Sequence, residues 1–295
     1  MKHIFKFFCI TAALVMIIEA TACNTAKPAS KDGQKPALLV VSFGTSYNES
    51  RAKTIDAVEQ ALAGAYPDYD QRRAFTSQII INKLKERDGL TVHTVTEAMK
   101  QLEESGIKQV VVQPTLVMNG LEYNDIIAEI KPFAHAFDRI QFGRPLLISD
   151  KDYDEFITVI TGEAKQYDDG KTAIVFMGHG TEHEANTVYR RLDKQLKDKG
   201  FSHYFIGTVE AEPSLDDVIA EVAQLEVQQV VLLPLMIVAG DHAVNDMAGD
   251  EEDSWKTVFE SKGYRVTPIL KGLGEYPGIR QIFVRHVQEA LAGSL

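Results

Sequence analysis

Cysteine is almost missing. The 295 residues contain 2, Cys9 and Cys23, both close to the start. The rest of the chain can build neither a disulfide framework nor a thiolate metal site, so any metal must be held by His, Asp or Glu. Basic charge is also scarce. Lys plus Arg number 31 against 42 Asp plus Glu, a formal net charge of -11. This argues against phosphate-driven nucleic-acid binding and for a small-molecule partner. A phosphate-binding loop of the Gly-x-x-x-x-Gly-Lys-Ser/Thr type is lacking, so no nucleotide cofactor is expected. What remains is ordinary for a globular protein: 45% hydrophobic and 25% charged residues, with length enough for two compact domains.

The N-terminus reads apart from the rest. Lys2 and Lys6 precede an apolar run that continues to about Ile18, followed by Thr21, Ala22 and Cys23. This is a signal-peptide pattern over residues 1–22, and the small residue before Cys23 resembles a lipoprotein cleavage site with Cys23 as the lipidated first residue. Ala20 and Glu19 depart from that pattern. An uncleaved anchor or simple secretion compete with it, although the run is short for a membrane span. The expectation is an exported protein, periplasmic or held in the envelope by an N-terminal lipid, with residues 23–36 as a polar linker.

From Pro36 onward, short β-branched runs alternate with amphipathic stretches: Ala37 to Ser42, Glu49 to Gly64, Gln78 to Arg87, Thr94 to Ser105, Gln109 to Gln113. Strands joined by helical crossovers give a parallel α/β architecture. The second half repeats the order, with strands at Thr172 to Met177, Tyr204 to Val209 and Gln229 to Leu233, and helices at Glu184 to Lys199 and Leu215 to Gln224. The halves also agree in letters. Gln109-Val-Val-Val-Gln-Pro114, with Gly120 and Glu122, matches Gln229-Val-Val-Leu-Leu-Pro234, with Gly240 and His242; Ser42-Phe-Gly-Thr45 matches Gly178-His-Gly-Thr181. Two similar Rossmann- or flavodoxin-like domains, 37–147 and 148–295, are expected to face each other across a cleft, with functional loops at the carboxyl ends of their strands. The last helical stretch, Gly278 to Leu291, is expected to pack back on the first domain.

The repeat also shows where the halves differ. His179 stands opposite Phe43, and His242 opposite Glu122, so the second half has gained two imidazoles at strand ends, where a parallel sheet exposes them. Thr208-Val-Glu210 ends the strand between them and would bring a carboxylate to the same edge. A His-Glu-His set suits cobalt, iron, nickel or zinc in the divalent state. Alternatives stand beside this reading: Glu210 as a helix cap with Glu212 facing inward, and the glycines around His179 as a plain turn rather than room for a flat ligand. His183 reads as a solvated or supporting residue, and His93, His135, His203 and His286 as surface residues. The acidic run Asp246 to Asp253 lacks calcium-loop spacing. For an anionic ligand, the candidate donors are the backbone amides after the loop Ser42, Gly44, Thr45 and Ser46 at a helix start, and the side chains of Arg51, Arg72, Arg73 and Lys83.

These segments carry a resemblance. Leu38-Leu-Val-Val-Ser-Phe-Gly-Thr-Ser-Tyr47, Val175-Phe-Met-Gly-His-Gly180, Gly207-Thr-Val-Glu210, Pro234-Leu-Met-Ile-Val-Ala-Gly-Asp-His242 and Gly272-Leu-Gly-Glu-Tyr-Pro277 are similar to segments of the anaerobic, ATP-independent sirohydrochlorin cobaltochelatases, relatives of ferrochelatase. The resemblance runs from about Pro36 to the C-terminus. It implies the chelatase fold, with the tetrapyrrole in the cleft between domains, and a metal-binding set at His179, Glu210 and His242. Ser42, Gly44, Thr45, Ser46 and Glu122, at the matching strand ends of the first half, are expected on the substrate side. The implied reaction inserts Co²⁺, as substrate metal, into sirohydrochlorin with release of two protons. Iron as the metal, a haem-directed role, and a non-catalytic tetrapyrrole- or metal-binding role at the envelope are the alternatives that the leader keeps open. Self-association is open as well.

Overall fold

A computed structural model describes residues 34–293, and the leader and Cys23 lie outside the described residues. The first half contains β1 (Ala37–Ser42), α1 (Asn48–Lys53), α2 (Ile55–Ala65), β2 (Asp70–Phe75), α3 (Gln78–Asp88), α4 (Val95–Glu104), β3 (Gln109–Pro114), α5 (Leu121–Ile130) and β4 (Arg139–Phe142). The second contains α6 (Asp150–Ala164), β5 (Thr172–Gly178), α7 (Thr187–Asp198), β6 (Tyr204–Thr208), α8 (Leu215–Val222), β7 (Gln229–Pro234), α9 (Trp255–Ser261), β8 (Arg265–Pro268) and α10 (Pro277–Ala292). Their sheets are ordered β2-β1-β3-β4 and β6-β5-β7-β8, and every strand pair is parallel. The repeat expected from the letters is thus a repeat of topology, with β1, β2, β3 and β4 equivalent to β5, β6, β7 and β8.

The central strands have the composition of strands covered on both faces. β1 and β5 are buried at every position, as uninterrupted apolar runs in parallel sheets require. Three of the four edge strands escape an apolar-run reading for the converse reason, β6 with its buried run being the other. β2 is Asp-Gln-Arg-Arg-Ala-Phe, and β4 and β8 have four residues each. With one paired neighbour and a half-exposed face, an edge strand needs little apolar sequence. The expected helix from Glu49 to Gly64 is two helices, broken at Thr54 (φ -113°, ψ -77°). Gly274 approaches there so closely that a β-carbon on it would lie 2.9 Å from Thr54 Cα. Gly170-Lys171-Thr172 leads into β5, the wrong side of a strand for a phosphate loop.

Helix α10 packs on α2, β3, β4 and α6, so the chain returns to its first half at the end. Ile279, Ile282, Phe283 and Val287 of this helix join a buried cluster with Leu38, Val58, Leu62 and Val111 of the first half and Phe156 and Ile160 of α6. Here the surface assignment of His286 is corrected: it is 0% exposed. Its ring lies between the Arg144 carbonyl (Nδ1, 2.9 Å) and Asp152 (Nε2, 2.9 Å). A histidine between Arg285 and the pair Gln288-Glu289 looks solvated in one dimension, but position 286 falls on the apolar stripe of 279, 282, 283, 287 and 290, all buried.

Candidate functional site

The three candidate ligands come from three loops at the carboxyl edge of the second sheet. β5 ends at Gly178, and a β-carbon there would lie 2.3 Å from Tyr189 Cε1. Gly180 has φ +87°, and a β-carbon on it would lie 2.8 Å from the Ala211 nitrogen. The glycines therefore make room for the protein's own Tyr189 ring and Ala211 backbone rather than for a flat ligand. That close approach joins the two loops, since Val209 N donates to Gly178 O at 3.0 Å and Glu210 N to His179 O at 2.9 Å. His179 and Glu210 are fixed side by side as a result.

His242 follows β7 and enters a π-helical turn, Ala243–Met247. One ligand atom from each of His179, Glu210 and His242 can be chosen so that all lie within 4.8 Å of one another. The two imidazoles are perpendicular with centroids 4.6 Å apart, and His179 Nδ1 is 3.6 Å from Glu210 Oε2. His179 Nδ1 also lies 2.8 Å from Gly180 O, and His242 Nδ1 lies 2.6 Å from Asp246 Oδ2. Both partners accept, which assigns the hydrogen to Nδ1 in each ring and leaves both Nε2 lone pairs free for a metal. His179 and Glu210 are exposed and His242 is partly covered, so the cluster is open to solvent.

The competing carboxylates are placed elsewhere. The cap of α8 is Ser214, not Glu210, and Glu212 pairs with Arg190 on the surface. His183 accepts from Ala185 N with its own Nδ1 at 3.1 Å, capping a short 3-10 turn. Asp246 was legible only as part of an acidic run. Its place four residues after His242 is the signal for its role, because one turn of helix returns a carboxylate to the ring.

From the first half, Glu122 in the opening turn of α5 accepts a hydrogen bond from Thr76 Oγ1 at 2.6 Å. Burial pushes its carboxyl above the ordinary glutamate value, and the Thr76 bond offsets this only in part. The domains approach where a β-carbon on Gly120 would lie 3.9 Å from Ala185 Cβ, and one on Gly240 3.7 Å from Thr45 Oγ1.

The Ser42–Ser46 loop is turned inward. Ser42, Thr45 and Ser46 are buried, the Ser42 hydroxyl is bonded to Thr115 Oγ1 at 2.7 Å, and Thr45 Oγ1 accepts from Tyr47 N at 3.2 Å. Gly44 (φ +98°) is a tight turn against Phe75. The loop's exposed side chain is Phe43, at 54%. Leu121 and Ile79, after β3 and β2, are also exposed apolar groups at this sheet edge. The arginines proposed as anion donors are committed within the first domain: Arg73 to Asp56 and Glu59, Arg72 to Asp70, and Arg51 to Asn48. Lys83 is exposed on α3.

A family model described as cobalt chelatase (CbiK) matches residues 36–292. A sirohydrochlorin cobaltochelatase of Salmonella typhimurium is 43% identical over 257 residues, 87% of this chain and 97% of that protein. The sirohydrochlorin cobaltochelatase CbiKC of Nitratidesulfovibrio vulgaris is 30% identical over 260 residues, 88% of this chain and 91% of that protein. Among solved structures, SirB from Bacillus subtilis with Fe³⁺ is similar with a TM-score of 0.62 at 14% identity, covering 88% of this chain and 97% of that one. At that identity the likeness speaks for the fold.

Proposed function

The chain belongs to the cobalt chelatase (CbiK) family, and from that membership we infer that it is a sirohydrochlorin cobaltochelatase of anaerobic cobalamin biosynthesis, inserting Co²⁺ without a nucleotide. The observation that carries the site assignment is the convergence of His179, Glu210 and His242 on the edge of one sheet, facing a second sheet that supplies Glu122.

Insertion needs a metal stripped of water, a macrocycle held with one face open to it, and acceptors for two pyrrole protons. In our reading, Nε2 of His179, Nε2 of His242 and the Glu210 carboxylate replace part of the water shell of Co²⁺. One carboxylate among the ligands offsets one of the two metal charges. Phe43 and Leu121 offer apolar surface to the macrocycle on the opposite side of the cleft. Glu122, with its raised affinity for protons, takes one pyrrole proton. As the metal passes into the ring it leaves its protein ligands, and a vacated imidazole or carboxylate becomes the second acceptor. Two N–H bonds break, Co–N bonds form, and two protons pass to solvent.

Anaerobic incubation of the purified chain with sirohydrochlorin and Co²⁺, followed by absorption, tests the reading. Multiple turnovers above the uncatalysed rate support it, whereas a change limited to one equivalent points to a binding protein. We further propose that the protein is exported and held at the envelope through Cys23, on the strength of the apolar run and the Thr21-Ala22-Cys23 sequence. Loss of lipid labelling in Cys23→Ser would support this location. An unlabelled wild-type chain in the cytoplasmic fraction would sink it.

A further inference from the structure

Beside the metal ligands, a side chain of the first domain reaches the loop of the second that carries His242. Tyr47 Oη donates to Asp241 Oδ1 at 3.1 Å. We propose that this hydrogen bond is a latch between the domains, through which Tyr47 acts as a positioning residue for His242. The proposal rests on the chelatase reading with His242 as a metal ligand.

The bond continues into the ligand loop. Asp241 Oδ1 also accepts from Asn245 Nδ2 at 3.1 Å, and Asp246, the next residue, holds His242 Nδ1 at 2.6 Å. Asp241 thus ties the entry of the π-helical turn to its interior, with His242 between the two tied points. Tyr47 has a firm base of its own. Its backbone nitrogen donates to Thr45 Oγ1 at 3.2 Å. The Arg87 guanidinium of α3 bonds Ser46 O at 2.7 Å and Asn48 Oδ1 at 2.9 Å, the residues on either side. Burial, and then Asp241 itself, push the Tyr47 hydroxyl above its ordinary value, so it stays a donor at working pH. A tyrosine braced from both sides and aimed at the residue preceding a metal ligand constrains that ligand from the opposite domain. His179 and Glu210, by contrast, are fixed to each other within their own domain.

The test is a double-mutant cycle in the full chain, with Tyr47→Phe, Asp241→Ala and the pair. Co²⁺ affinity is read by calorimetry without tetrapyrrole, and KM for Co²⁺ and for sirohydrochlorin are measured separately. Tyr47→Phe is expected to weaken Co²⁺ binding, and raise its KM, by about tenfold, the scale of one hydrogen bond to a charged group. The KM for sirohydrochlorin should stay within about twofold, well below that scale. In the Asp241→Ala background the same substitution should change nothing, whereas in Asp241→Asn, which keeps an acceptor, its effect should return. Equal effects of Tyr47→Phe in all backgrounds, or unchanged Co²⁺ binding, would overturn the latch. A wild-type chain that binds Co²⁺ but never turns over would instead overturn the reading of function, and the binding cycle would still report on the latch.

Discussion

Asp152 offers the sharpest test of how α10 is held against α6. Its carboxylate is fully buried and accepts from Arg285 at 2.6 Å, His286 Nε2 at 2.9 Å and the Ser149 backbone and hydroxyl at 2.7 Å each. Replacing it with Asn preserves volume and removes the charge. Breaking a buried ion pair costs about 3–5 kcal/mol. Arg285 retains Glu155 and Glu289, so the low end, about 3 kcal/mol, is expected, which for a protein of this size lowers Tm by about 6–12 °C. The pH dependence has a definite sign. Burial alone would raise the Asp152 pKa, but the bonds from His286, Arg285 and Ser149 outweigh it and hold the carboxyl well below the ordinary aspartate range. Its contribution is therefore complete above the unfolded value of about 4 and drains away as pH falls toward the folded one. Urea unfolding of both proteins should show a constant gap from about pH 7 to 5 that narrows below pH 4 by about 1.4 kcal/mol per pH unit. A Tm loss under about 2 °C, less than 1 kcal/mol would produce, or a gap unchanged between pH 4 and 3, would refute the reasoning.

The site makes further commitments. His179→Ala or His242→Ala should reduce cobalt insertion by more than about 100-fold, since removing even a partner behind a ligand costs 10–100-fold, with circular dichroism unchanged; full activity in either removes that residue from the site. Asp246→Asn should weaken Co²⁺ binding by about 10–100-fold by releasing the His242 ring, read by calorimetry. Glu122→Gln should lower kcat by about 100-fold or more with Co²⁺ affinity kept. Because burial raises the Glu122 pKa, wild-type kcat should climb with pH through a midpoint above the ordinary glutamate value, and that limb should vanish in the variant. Gly180→Ala, forced into φ +87° against Ala211 N, should lose about 1–3 kcal/mol and part His179 from Glu210, seen as joint loss of stability and metal binding.

Much of this was legible in the letters because parallel sheets write themselves as apolar runs, and because duplication exposed the positions where imidazoles were gained. The edge strands β2, β4 and β8 were not legible, since they have no apolar run to find, whereas β6, the remaining edge, was read from Tyr204 because its run is apolar and buried. Nor was the burial of His286, whose partners Arg144 and Asp152 lie far away in sequence. What marked the candidate ligands as a set was their common position at strand ends. What marks Asp246 and Tyr47 is visible only once the loops are folded.

The return of α10 to the first half bears on how the molecule is made. Residues 277–292 cover α2, β3 and β4, so during synthesis the first sheet leaves the ribosome with that side bare and waits for the whole second half to follow. Closing so long a loop costs entropy before its contacts form, and folding dominated by such distant contacts is slow. Without α10 the first half exposes that apolar side, so trimming the last helix should cost solubility before it costs any chemistry in the cleft.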